Sequence, residues 1–154
     1  AATGVLSETE IRARKEVELE TYILQTQIEG RVLGELVYHQ VIPATVQYQN
    51  RLLENIRGMK EVYGAAHKKM AGAQLAILEQ LSEHLQEARK KTDAMIQARK
   101  RANAMKDLKA RAAAYCDAVL PYFTEIRYHC DRIERMVGQE DWPLARYREM
   151  LFVK

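Results

Sequence analysis

Several things that punctuate or cross-link a fold are scarce in this chain of 154 residues: it has 2 Cys, 3 Pro, 7 Gly, 2 Phe and 1 Trp. Two cysteines exclude a disulfide scaffold. Sparse Pro and Gly beside 47% hydrophobic and 29% charged residues exclude a collagen-like or disordered chain. No run approaches the roughly 18 uncharged apolar residues of a membrane-spanning helix. The opening Ala1-Ala2-Thr3-Gly4 lacks the basic and apolar regions of a signal peptide; a cytoplasmic location is the expectation, one that two reduced thiols fit. It also lacks an initiator Met, which suggests a piece of a longer protein. Motif chemistry is missing too: there is no Cys-x-x-Cys, no His-Glu-x-x-His and no phosphate-cradling glycine loop. Much of the apolar fraction is Ala, and that favours one domain of long helices over sheet.

The first helix has a written start. Ser7-Glu8-Thr9-Glu10 has capping-box spacing, with Val5 and Leu6 as a flanking apolar staple. Only Gly30 and Gly34 interrupt the run to Ile42. They mark either a face of close helix approach or a mildly weakened surface. Pro43 disfavours helical geometry at Ile42, so a kink or restart is expected there, and a second piece carries Val46, Leu52, Leu53 and Ile56 at helical spacing. Gly58, Gly64 and Gly72 then read as a connector with short helical turns. In the next helix Leu78, Leu81, Leu85, Ala88, Thr92, Met95, Arg99 and Ala102 step in threes and fours, the pattern of a packed seam. Arg99 is its flaw, with a long stem able to snorkel. Asp107 caps a further helix whose seam is Cys116, Val119, Phe123, Ile126, Cys130, Ile133 and Val137. Gly138 stands where a helix-ending glycine belongs.

Cys116 and Cys130 on one helix lie about 21 Å apart, far beyond the roughly 7 Å that a disulfide spans. Both are expected to be reduced, buried thiols. The helices, 8–42, 44–57, 73–105 and 108–137, include three rods of about 45–52 Å by the helical rise per residue. Similar rods joined by short turns pack side by side. The fold expected is therefore all-α, an elongated antiparallel bundle of long helices forming a single domain over 1–154. Residues 139–154 form a short tail crowded with Trp142, Pro143, Leu144, Tyr147, Met150, Leu151 and Phe152. Those seven are the candidate docking residues, to be buried on the bundle or on a partner.

A search for reactive groups gives little. A carboxylate-bridged di-iron bundle needs Glu-x-x-His, but Leu36, Gly64, Leu81 and Ile126 stand three residues before the four histidines. Glu35 and Glu125 precede His39 and His129 by one turn, a spacing of ordinary i,i+4 surface pairing. His129 and Cys130 are neighbours on a helix and point about 100° apart, so they form no nucleophile–base dyad. No catalytic residue, cofactor site or metal site is assigned. The charge pattern is sharper: residues 89–111 carry nine basic side chains against Asp93 and Asp107, +7 locally in a chain of +3. Such a ridge suits phosphates or anionic membrane. It has no aromatics for base stacking, and the acidic start of the chain offers it a counterpart. A solvated face or helix contact is the plainer reading, with a basic module for nucleic acid or membrane as the alternative.

With these elements placed, Trp142-Pro143-Leu144-Ala145-Arg146-Tyr147-Arg148-Glu149-Met150-Leu151-Phe152 resembles the C-terminal signature of glutamine synthetase type III. Leu120-Pro121 running to Ile133-Glu134, Val5-Leu6-Ser7-Glu8, Ile42-Pro43-Ala44 and Tyr48-Gln49 are similar to that family's pattern, in order, from residue 5 to 152. Ala145 and Gly138-Gln139 depart from it. The resemblance implies a helical C-terminal domain of an enzyme that makes glutamine from glutamate and ammonia with ATP and Mg or Mn, in ring-built homo-oligomers. It implies as partners the catalytic region of the same chain and sister subunits, with no nucleic acid and no membrane. The family's metal, nucleotide and substrate motifs match no residue here, and this piece by itself is expected to be non-catalytic.

Overall fold

A computed structural model describes residues 7–146 and Glu149. The described residues form helices without a strand: α1 (Glu8–Leu36), α2 (Ile42–Tyr63), the short α3 (His67–Met70), α4 (Gly72–Asn103), α5 (Leu108–Ala114) and α6 (Leu120–Met136). A π-helical turn, Val37–Val41, joins α1 to α2, and a second, Tyr115–Val119, joins α5 to α6. Three long rods result. The expected all-α architecture is what the described residues adopt.

Local chemistry sets the ends. Glu10 N–H donates to Ser7 Oγ at 3.2 Å while Ser7 N–H donates to Glu10 Oε2 at 2.7 Å, the reciprocal bonds of a capping box. The staple residues Val5 and Leu6 lie outside the described residues. Asp107 Oδ2 accepts from Ala110 N–H at 2.7 Å and opens α5. Gly64, at φ 55°, reverses the chain after α2 in a conformation that side chains resist. The C-terminal glycine behaves otherwise than expected. Val137, in an extended conformation, ends α6, and Gly138 serves packing instead: a Cβ there would lie 3.2 Å from Asp141 Oδ2 and 3.6 Å from the Tyr48 ring.

Pro43 does not break the first rod. A proline ring clashes with the carbonyl four residues back. The wider π turn moves the bonding out of that register, and Ile42 N–H donates to the carbonyl of Val37 five residues back. Leu120 N–H does the same to Tyr115 just before Pro121. Helix α2 also continues through Gly58 to Tyr63, beyond the expected end near Arg57, so the connector shrinks to residues 64–71 around α3.

The rods are antiparallel where α4 crosses the first. Tyr38 meets Asp93, Gln49 meets Ser82 and Asn55 meets Gln74, partner numbers falling as the others rise. Helices α4 and α6 make the most extensive contact, and His84 faces His129 across it. One core cluster gathers Ile23, Val37, Met95, Ala98, Tyr115, Val119 and Ile126. The other gathers Val41, Ala44, Leu52, Leu81, Ile133, Val137 and Trp142. Gly30 and Gly34 are buried, Gly30 facing the Phe123 ring and Gly34 facing Thr92, Met95 and Ile96. They form a close-approach face, not a weakened surface. Burial of Cys116 does not hold: Cys116 is exposed and Cys130 half-buried, because the π turn directs Tyr115 and Val119 inward.

Candidate functional site

Of the expected docking tail, the first part is engaged within the chain. Trp142 is 9% exposed in the second core cluster, Leu144 packs half-buried against it and Pro143 is exposed. Tyr147, Met150, Leu151 and Phe152 lie outside the described residues. The turn carrying Trp142 is tied down from both sides. Arg51 Nη1 donates to Asp141 Oδ2 at 2.7 Å, with the Asp141 side chain only 4% exposed, and Arg146 Nη2 donates to the Val137 carbonyl at 2.8 Å.

The apolar surface left open lies elsewhere. Val17, Leu24, Ile28, Val32 and Leu36 on α1 are 37–61% exposed. The last four recur every fourth residue and so form one continuous strip. The opposite side of the same helix carries buried Ile23, Thr26, Gly30 and Gly34. A helix apolar on both sides is built to be covered on both. Patterning that concentrated on seams and on the tail missed this strip, although its four-residue repeat is plain in the sequence.

The basic ridge is partly consumed in place. Lys91 Nζ pairs with Glu125 across the α4–α6 contact at 2.6 Å, Lys90 pairs with Glu87 at 3.4 Å, and Arg111 donates twice to the Met105 carbonyl. Arg89, Lys100, Arg101, Lys106 and Lys109 are exposed. Arg99 does not snorkel clear: its Nε and Nη1 are shut off from solvent and make no hydrogen bond among the described residues. It lines a groove of about 410 Å³ between α1 and α4, together with Gly30, Arg31, Gly34, Glu35, Tyr38, His39 and Ile96. The sequence signal for this groove was the glycine pair opposite the one charged seam residue.

Among the described residues no three His, Cys, Asp or Glu side chains are grouped to hold an ion. The expected i,i+4 pairing of Glu125 with His129 is replaced by two contacts across the interface. Glu125 takes Lys91, and His129 Nδ1 stands 3.0 Å from His84 Nδ1, with the Tyr128 ring edge-on to both imidazoles. Burial, then the neighbouring His84, lowers the pKa of His129. Burial pushes the Cys130 thiol up to about 12, a value that leaves it inert as a nucleophile at neutral pH. Among the described residues no helix is long and apolar enough to cross a membrane.

Comparison with known proteins agrees in direction. Residues 1–60 match the family model described as "Glutamine synthetase C-terminal domain". A glutamine synthetase of Bacteroides fragilis is 40% identical over 97% of this chain. A type-3 glutamine synthetase of Dictyostelium discoideum is 28% identical over 99% of it, and a glutamine synthetase of Butyrivibrio fibrisolvens is 25% identical over 97%. The chain spans 21% of the length of each of these relatives.

Proposed function

This chain belongs to the glutamine synthetase C-terminal domain family, and from that premise we propose that it is a non-catalytic bracing module of a type III enzyme. On this reading the parent enzyme joins ammonia to glutamate at the expense of ATP in the cytoplasm. Nucleotide and Mg or Mn are held by its catalytic region, not by these helices. The observation that carries the reading is the exposed strip of α1 from Leu24 to Leu36. Covering an aliphatic row of that kind lowers the free energy by about 25 cal/mol per Å² taken out of water. The occupant proposed is the catalytic region of the same polypeptide, because some four-fifths of each relative lies outside the matched stretch.

The test places Leu24→Glu and Ile28→Glu in the full-length synthetase. Both side chains are more than half exposed, so the helices themselves should fold unchanged by circular dichroism. The expected result is faster proteolytic release of the C-terminal piece and a lower thermal midpoint for glutamine formation, with subunit number by light scattering preserved. Loss of subunits with an intact internal contact would assign the strip to a sister subunit. Unchanged proteolysis, midpoint and assembly would remove the bracing role.

A further inference from the structure

Arg99 is the anomaly of the α4 seam. Its neighbours on that face, Met95, Ala98 and Ala102, are at most 3% exposed, yet position 99 brings a permanent charge into the same packed surface. Two of its N–H-bearing nitrogens, Nε and Nη1, have neither solvent nor an acceptor among the described residues. The residue as a whole is half-buried and shares its groove with Arg31, Glu35, Tyr38 and His39; donors shut off from water without a partner are costly and favour an acceptor beside them.

The carboxylates nearby do not meet that need. Asp93 accepts the Tyr38 hydroxyl at 2.5 Å. Glu35 lines the groove but makes no ion pair with Arg31 or Arg99 among the described residues. A second arginine, Arg31 on α1, lines the same groove. Burial raises the pKa of the Tyr115 hydroxyl, and the fields of Arg99, Arg111 and Arg31, from three helices, oppose that rise.

The space is also shaped for an occupant. Gly30 and Gly34 add no side chain of their own to the α1 wall, which Arg31 and Glu35 otherwise line, and a Cβ at Gly30 would stand 3.8 Å from Arg99 Cδ and 3.4 Å from the Phe123 ring. The π turn at Val37–Val41 brings Tyr38 and His39 to one end, and such widened turns recur at functional sites. The groove, of about 410 Å³, is open to solvent along one side, so an ion can enter it without any movement of the helices.

We propose that the groove between α1 and α4 binds a small oxyanion, a carboxylate or a phosphate, held by Arg99 and Arg31 over the Gly30–Gly34 floor. The proposal goes beyond the bracing role and does not depend on it. This chain, which carries none of the catalytic region assigned to the parent, is titrated calorimetrically with sodium phosphate and, separately, with glutarate, at an ionic strength fixed with chloride. Saturable one-to-one binding of at least one probe is expected. It should weaken at least tenfold in Arg99→Met and several-fold in Arg31→Met, and remain unchanged in Arg101→Met, an exposed cation on the same helix. Thermal midpoints give a second reading: Arg99→Met should match or exceed the wild type without anion and lose the anion-dependent rise. Binding of phosphate alone would identify a phosphate site, and binding of glutarate alone a carboxylate site. No saturable binding, or equal weakening by Arg101→Met, would overturn the proposal. So would a full-length enzyme that loses stability on Arg99→Met while this chain binds neither probe, because the groove would then hold an acidic side chain of the catalytic region.

Discussion

Gly58 and Gly64 stand six residues apart and should answer alanine in opposite directions. Gly58 lies inside α2 with nothing within 4 Å of where an alanine methyl would stand, so Gly58→Ala removes backbone freedom from the unfolded chain without a clash. A stabilisation of about 0.5–1 kcal/mol is expected. Gly64 is equally uncrowded but sits at φ +55°, ψ −125°, a region almost confined to glycine where a side chain costs about 1–3 kcal/mol, so Gly64→Ala should destabilise by about that amount. Urea unfolding of the two variants beside the wild type measures both signs. Equal shifts would mean that the turn after α2 is not built as described. At this scale the sequence was legible in its seams: Leu81, Ala88, Thr92, Met95 and Ala102 are all buried on α4. It was less legible at position 115. Helical stepping alone ranks Cys116 and Tyr115 as adjacent choices. A π turn and the Tyr115 hydroxyl's bond to Asn103 Oδ1 at 2.6 Å bring in the larger, polar-tipped side chain instead.

The two prolines teach the same lesson for elements. Ile42-Pro43 and Leu120-Pro121 each follow a π turn and open the next α-helix. A break is the sound expectation from proline chemistry, but one extra residue per turn absorbs the clash and the rods run on. Periodicity cannot reveal that, because the widened turn shifts the inward face by only about one position. The α4–α6 contact carries a pH dependence that spacing also hides. The facing Nδ1 atoms of His84 and His129 stand 3.0 Å apart, a contact in which one nitrogen must donate and the other accept, and a cationic His129 ring has no acceptor to offer. Charges from both helices bear on His129: Glu87 and Glu125 favour its cation, while His84 and Lys91 oppose it. Burial tips the balance, and its folded pKa lies below the unfolded value. The folded state therefore binds fewer protons than the unfolded one. Its stabilising share is complete above about pH 6.5 and is lost as pH falls through the depressed pKa. Unfolding free energy measured from pH 7.5 to 5.5 should decline in the wild type and decline less in His129→Gln. Parallel profiles would show that the pair does not titrate in this range.

For the whole molecule the question is which apolar surface is reserved for a partner. Residues 7–18 of the chain are exposed all round, and α1 becomes buried on one side only from Leu19 onward. The second core cluster meanwhile closes over Trp142 at the other end of the chain. A reading from composition sees an aromatic tail as the sticky part and a periodic helix as the packed part. Burial sets Trp142 on the bundle, one of the two placements expected for the tail, and leaves the outer strip of α1 open, because alternating seams say which residues share a face but not which face finds a neighbour. The consequence is testable in this chain with no other polypeptide present. Trp142 fills a site among Val41, Ala44, Leu52, Leu81, Ile133 and Val137, so Trp142→Ala leaves a cavity and should cost about 3 kcal/mol in urea unfolding. Leu24→Ala, on the open strip, should stay within about 0.5 kcal/mol of the wild type. If the tail were held ready for docking, the order would invert: Trp142→Ala would be silent in this chain and felt only in the full-length enzyme.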